Sequence, residues 1–231
     1  MSDTRILLVT GTDTGVGKTW VTSALARALV QQGRRVVAIK PVETGSKGTP
    51  GATEDGVLLA AATGQAAPRM ALHRFADPVA PAVAAEREGR ALDFDGVLAE
   101  IERYAEGSEV TLIESAGGLL APIAWDWNAA DLAESLGARV LVVGADRLGV
   151  INHALLTLSA LELAGLLTAG VILTTPATAD VSTGTNAEAI ARLSGVERIL
   201  VAPRTNHPAA AAAAIAPAIA WFLGEEVRGE R

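Results

Sequence analysis

The sequence contains no cysteine, which excludes disulfides, thiolate zinc sites and cysteine nucleophiles and fits a reducing compartment. Positive charge is also in short supply. Nineteen Lys and Arg stand against 26 Asp and Glu, a net charge of −7, so neither nucleic acid nor an anionic membrane surface is the expected partner, and a small molecule is. No run of about eighteen uncharged apolar residues occurs, as a membrane-spanning helix would need. Met1, Ser2, Asp3 and Thr4 lack the basic region and following apolar core of a signal peptide, so a cytoplasmic location is the simplest expectation. Internal repeats and composition breaks are missing too. With 231 residues, half of them apolar, the chain can bury a large core as one domain spanning 1–231.

The most informative stretch runs over residues 5–19. Ile6, Leu7, Leu8 and Val9 form an apolar run that reads as a buried strand. It breaks into a loop carrying Gly11, Thr12, Asp13, Thr14, Gly15, Val16 and Gly17, then enters a helix at Lys18 and Thr19. Glycines at 15 and 17 can take backbone angles closed to other residues, so successive N–H groups can turn onto phosphate oxygens while the helix N-terminus adds its dipole. Lys18 would reach the β- and γ-phosphates and the Thr19 hydroxyl would ligate Mg²⁺. One departure from the usual phosphate-loop pattern is that Thr12 occupies the position of its first glycine, with Gly11 one residue earlier.

Short Val/Ile/Leu strands then alternate with helices. Strands are expected at 36–39, 110–113, 140–143, 171–173 and 198–201. Helices are expected at 21–32, 53–63, 82–88, 94–104, 129–136, 151–163 and 187–193, with a last one ending at Leu223. Residues 42–48 read as loop by composition, and Pro68, Pro78 and Pro81 punctuate an irregular stretch. The alanine run at 209–214 reads as helix packed at close distance. This alternation predicts the α/β class: a mostly parallel sheet with helices on both faces, with ligands at the carboxyl ends of the strands.

Several polar residues fall at those ends. Lys40 terminates a strand and could place positive charge where a transferring phosphoryl group develops negative charge, though a solvated strand-end lysine is equally ordinary. Glu114 follows an apolar strand, where phosphate-loop enzymes keep a Mg²⁺ ligand, and Gly117 beyond it lets backbone approach a ligand closely. Asp146 competes for that role, and Asp55 could merely cap a helix. Gly149, Val150, Ile151 and Asn152 open a helix whose free N–H groups could hold a carboxylate. His153 reads as a buried or capping residue, and Trp125 and Trp127 as packing.

These motifs together resemble the dethiobiotin synthetase family. The likeness runs through the loop from Gly11 to Thr19, including its extra residue, through Lys40-Pro41-Val42 with Thr44-Gly45, Pro81, Glu114-Ser115-Ala116-Gly117-Gly118, and Leu148 to His153. It implies a phosphate-loop NTPase-like fold and an ATP- and Mg²⁺-dependent homodimer that joins 7,8-diaminopelargonate and CO₂ into dethiobiotin, releasing ADP and phosphate. A carbamate forms on one amine, its oxygen attacks the γ-phosphate, and the second amine closes the ureido ring by expelling phosphate. The resemblance further implies that Lys18 and Thr14 hold phosphates, with Asp13, Gly15, Val16 and Gly17 in the same loop, and that Thr19, Asp55 and Glu114 ligate Mg²⁺. Lys40 would stabilise the carbamate and the transferred group. Thr44, Gly117, Gly149, Val150 and Asn152 would receive the substrate, the last three across the dimer interface.

Two departures from the family pattern matter. Ser115 replaces a glycine, which requires backbone there to avoid positive φ. Thr174 and Thr175, followed by Pro176, stand where many members have an Asn to read the adenine edge. That leaves ATP as the expected co-substrate with other nucleoside triphosphates open, and leaves Pro203 and Asn206 as candidate base contacts. A cobyrinate-type amidoligase has a similar loop but needs a glutaminase domain with a cysteine. A partition or division-site switch ATPase is the alternative of another class, disfavoured because no lysine lies among Gly11, Thr12 and Asp13 and no basic amphipathic tail follows.

Overall fold

The computed structural model describes residues 4–223. β1 (Arg5–Gly11) lies at the centre of a six-stranded sheet with β2 (Val36–Ile39), β5 (Val110–Gly118), β6 (Arg139–Ala145), β7 (Thr168–Thr174) and β8 (Ile199–Ala202). The order is β2-β5-β1-β6-β7-β8 and every pairing is parallel. Because side chains alternate along a strand, neighbouring core residues go to opposite faces. Leu8, Ile113, Val140, Val142 and Leu173 belong to one buried cluster, whereas Leu7, Val9, Leu112, Leu141 and Ile172 belong to the other. Both faces are apolar, so helices cover both.

On the first face lie α3 (Pro81–Arg87), α4 (Phe94–Ala105), α5 (Ala129–Ser135), α6 (Val150–Leu163) and α7 (Asn186–Ser194). On the second lie α1 (Lys18–Gln31), α2 (Asp55–Thr63), α8 (Pro208–Ile215) and α9 (Ala220–Leu223). Among the described residues no helix is long and apolar enough to cross a membrane. The expected elements are present to within a few residues, and the alanine run forms most of α8.

Three readings need correction. The stretch expected to be loop after Lys40 contains β3 (Val42–Thr44), which pairs in parallel with β4 (His73–Phe75) inside the irregular, proline-punctuated segment. Strands of three residues are too short to show a period. β5 does not close at Ile113 but runs on to Gly118, with Glu114 opposite Val9 and Gly118 opposite Gly11. Pairing with β1 overrides the poor strand propensity of Glu, Ser and Gly. The last helix is interrupted by a 3₁₀ turn (Ala216–Ile219), where Pro217 removes a backbone donor.

The C-terminal helix fixes one strand position by contact. A Cβ built on Gly170 of β7 would lie 2.5 Å from the Trp221 ring and 2.6 Å from the Arg198 carbonyl oxygen. Gly170→Ala should therefore cost about 1–3 kcal/mol of stability, the usual range for overpacking. Denaturant melting checks this, and an unchanged midpoint would show that both the Trp221 ring and the Arg198 carbonyl give way freely.

Candidate functional site

The loop between β1 and α1 is shaped by its glycines. A Cβ on Gly11 would sit 2.7 Å from the Asp13 carbonyl oxygen, so the chain can fold back over residue 11 only because it has no side chain. Gly17 holds φ 94 and caps α1 without any side-chain cap. The first N–H groups of α1 therefore have no side-chain acceptor and are available to an anion. Lys18 Nζ donates to the Asp13 carbonyl oxygen at 3.0 Å. Burial, helped by the nearby Lys40 ammonium, lowers the Lys18 pKa to about 8 against the pull of Glu114, Asp55 and Asp13.

Opposite the loop, the carboxyl end of β2, the middle of β5 and the start of α2 meet. Lys40 Nζ lies 2.6 Å from Glu114 Oε1 and 2.8 Å from Asp55 Oδ2, and also reaches the Ser115 carbonyl oxygen at 3.3 Å. The Thr19 hydroxyl lies 2.7 Å from Asp55 Oδ1 and 2.8 Å from Glu114 Oε1. Glu114 is fully buried, and its Oε2 has no partner. Burial alone would lower the Lys40 pKa, yet the carboxylates of Glu114 and Asp55 outweigh it and raise the value. Lys40 is thus charged at neutral pH. Asp55 is held below the usual carboxylate range, its burial outweighed by Lys40 and the Thr19 hydrogen bond.

Asp55 is not the cap that its local sequence suggested. Glu54 is the N-cap residue and makes no capping bond with its side chain. The capping comes from β3: Glu43 accepts from the Asp55 and Gly56 backbone N–H groups at 2.6 and 3.0 Å. Burial raises the Glu43 pKa despite those two bonds. Glu54 instead takes a two-pronged bond from Arg74 of β4. The sequence carried no signal for Glu43, because its role depends on β3 lying across the start of α2.

A cavity of about 690 Å³ joins these groups. Of the residues expected at the site, Thr14, Gly15, Gly17, Lys18, Thr19, Lys40, Thr44, Asp55, Glu114 and Gly117 line it, with Glu43 and the turn from Pro78 to Pro81 added by the fold. A second cavity of about 410 Å³ shares Gly15 and Gly17 with it and is lined by Val16, Thr174, Thr175, Pro203 and Asn206. Asp13 is exposed, its carboxylate accepting from the Thr14 N–H at 2.6 Å. Gly149, Val150 and Asn152 line neither cavity within one chain: Gly149 caps α6 with φ 96, Val150 is buried and Asn152 is exposed.

Other readings resolve plainly. Asp146 accepts from Gly184 N and Asn186 Nδ2 at 2.8 and 2.7 Å, so it pins the loop before α7 and does not line the 690 Å³ cavity. Ser115 avoids positive φ, as its replacement of glycine requires, and its hydroxyl donates to Thr10 Oγ1. Trp127 is buried against Phe94, whereas Trp125 is exposed. His153 is exposed on α6, neither buried nor capping, because the helix turns it away from the face that packs on the sheet.

Comparison with known proteins places these features in context. A family model described as an AAA domain matches residues 5–209. The ATP-dependent dethiobiotin synthetase of Aquifex aeolicus is 40% identical over 191 residues, covering 83% of this chain and 86% of that protein. The one from Anaeromyxobacter dehalogenans is 42% identical over 202 residues, covering 86% and 90%. Among solved structures, the MinC:MinD cell division complex of Aquifex aeolicus aligns with a TM-score of 0.59 at 17% identity, covering 98% of this chain and 99% of that one. The septum site-determining protein MinD of Pyrococcus horikoshii, complexed with Mg-ADP, gives 0.57 at 18%, covering 98% of each. At such identities these two show the fold alone.

The buried charges should be energetically coupled. Lys40→Met leaves Glu114 without its cation and should cost roughly 3–5 kcal/mol of stability. Adding Glu114→Gln to it should restore much of that loss, because the buried charge goes with it. A double variant as unstable as the sum of the two single variants would show that the groups do not interact.

Proposed function

The chain belongs to the family of ATP-dependent dethiobiotin synthetases, and on that premise we propose how its own residues form dethiobiotin at the expense of ATP. One observation carries the reading: the Lys40 ammonium is held between Glu114 and Asp55, in the same cavity as the phosphate loop. The N–H groups at the start of α1, with Lys18 and Thr14, bind the β- and γ-phosphates. The turn from Pro78 to Pro81 and Thr44 close the opposite wall, where 7,8-diaminopelargonate and CO₂ meet as a carbamate.

Thr19, Asp55 and Glu114 are the groups that would hold Mg²⁺. They fit it: all are hard oxygen donors, and Glu114 Oε2 is a buried acceptor with nothing to accept from. Among the described residues no cluster of three or more acidic or histidine side chains forms a self-contained metal cage, which suits an ion that completes its shell with phosphate oxygens and water. Bound there, Mg²⁺ would neutralise phosphate charge. Lys40 supplies a fixed positive charge where the carbamate oxygen attacks the γ-phosphorus and ADP leaves. The second amine then attacks the carbamoyl carbon and phosphate departs. The two carboxylates hold Lys40 protonated against its burial, so it does not act as a base and its contribution is electrostatic.

The substrate's far carboxylate is received by the α6 start of a second copy, through Gly149, Val150 and Asn152. The solvent exposure of Leu148 and Leu156, at 78% and 62%, supports that surface as a homodimer interface. A reaction that consumes ATP runs where ATP is kept, and we place the enzyme in the cytoplasm.

Nucleoside selection follows from the second cavity. The Thr174 hydroxyl donates to the Val16 carbonyl oxygen at 2.8 Å and that of Thr175 to the Ala202 carbonyl oxygen at 2.9 Å. Neither retains a proton for a base edge, so most binding energy comes from the triphosphate. Incubation with diaminopelargonate, bicarbonate, Mg²⁺ and ATP should yield dethiobiotin, identified by mass, and release of phosphate without that product would refute the assignment. In the same assay kcat/KM for ATP, GTP and CTP should agree within about tenfold, or roughly 1.4 kcal/mol. A hundredfold preference for one would mean that other groups read the base.

A further inference from the structure

The loop between β8 and α8 forms one wall of the 410 Å³ cavity through Pro203, Arg204, Thr205 and Asn206. Little holds it there. Among the described residues, the hydrogen bonds made by these four residues are the His207 N–H to Thr205 Oγ1, within the same turn, and the Trp20 indole N–H to the Thr205 carbonyl oxygen at 2.9 Å. Trp20 is therefore the hydrogen-bonded link from this loop to α1. It directly follows Thr19 on that helix and lines both the phosphate cavity and the second cavity. It also lines a third cavity, of about 280 Å³, together with Ser23, Arg27 and Asn206.

On the opposite wall the Thr174 and Thr175 hydroxyl protons are committed to backbone oxygens, which leaves Arg147, among the described residues, as the side chain there with free donors to offer a nucleoside. The loop supplies four of the residues lining this cavity, and its hydrogen-bonded tie to α1 is the indole. We infer that Trp20 is the positioning residue of the nucleoside subsite, fixing the 203–206 loop at a set distance from the phosphate loop. This deepens the proposed function and rests on its placement of the triphosphate at the α1 N-terminus. Because Trp20 and Thr19 are neighbours on one rigid helix, the phosphates and the nucleoside are gauged from the same element. A ligand with phosphates and no nucleoside gains nothing from the link.

Binding of ATP and of inorganic tripolyphosphate, each with Mg²⁺ and without the diamine, separates these contributions. Trp20→Phe keeps an aromatic ring and removes the N–H. It should weaken ATP about fivefold to tenfold, the size of one neutral hydrogen bond, while tripolyphosphate stays within about twofold. Equal losses for both ligands would assign Trp20 to general support of α1 and overturn the inference, as would unchanged ATP affinity. Should Trp20→Phe fail to fold, the unaltered protein still decides. Of its four tryptophans, Trp20 is the one that lines these cavities. ATP should therefore change tryptophan emission beyond the change that tripolyphosphate makes from the phosphate cavity, whereas the same response to both, or none to either, contradicts the inference. Absence of dethiobiotin formation would refute the proposed reaction without altering these ratios.

Discussion

A lysine ammonium locked between two carboxylates is the constraint on which this site depends. Lys40 directly follows β2, Glu114 lies in β5 and Asp55 opens α2, three places separate in sequence that meet only when the sheet is assembled. A buried ion pair contributes little net stability, since desolvation offsets most of the attraction. Its value is positional. The charge is fixed by its two ion pairs, and on the proposed reading no reorganisation is needed when a phosphoryl group is transferred beside it.

Supporting contacts keep that triangle in register. Glu43 holds the first N–H groups of α2 and thereby places Asp55, while Arg74 clamps Glu54, the residue before it. Glu43 and Arg74 lie opposite each other in the two-stranded β3–β4 sheet, so this small sheet serves as a bracket for the start of α2. On the other side Ser115 bonds Thr10 and ties β5 to β1 just beyond Glu114. The charges are thus fixed through backbone and strand pairing more than through their own side-chain torsions.

Much of this was legible in the sequence because the governing signals are local. The apolar run before Gly11, the loop glycines and the helix that follows lie within fifteen consecutive residues and need no tertiary information. Alternation of buried strands with helices likewise reports a two-faced parallel sheet. What escaped was non-local. Glu43 looked like loop because β3 pairs with β4, more than twenty-five residues away in the chain. Asp55 looked like a helix cap because its partners, Thr19 and Lys40, approach from other elements. Glu114 was placed beyond a strand that in fact continues through it, since pairing with β1 outweighs what its own neighbours prefer. Trp20 gave no signal at all, because its partner is a backbone carbonyl 185 residues further along.

The central claim is that the two buried lysines do different work, Lys18 on the nucleotide and Lys40 on the reacting group. Measuring ATP affinity and single-turnover rate for Lys18→Ala and Lys40→Ala side by side tests it directly. Lys18→Ala should lose ATP binding. Lys40→Ala should keep ATP affinity close to that of the unaltered protein while its rate at saturating ATP falls by about 10² to 10³, the loss expected for one preorganised charge contact. Near-normal turnover in Lys40→Ala, or a parallel collapse of ATP affinity in both variants, would contradict the account.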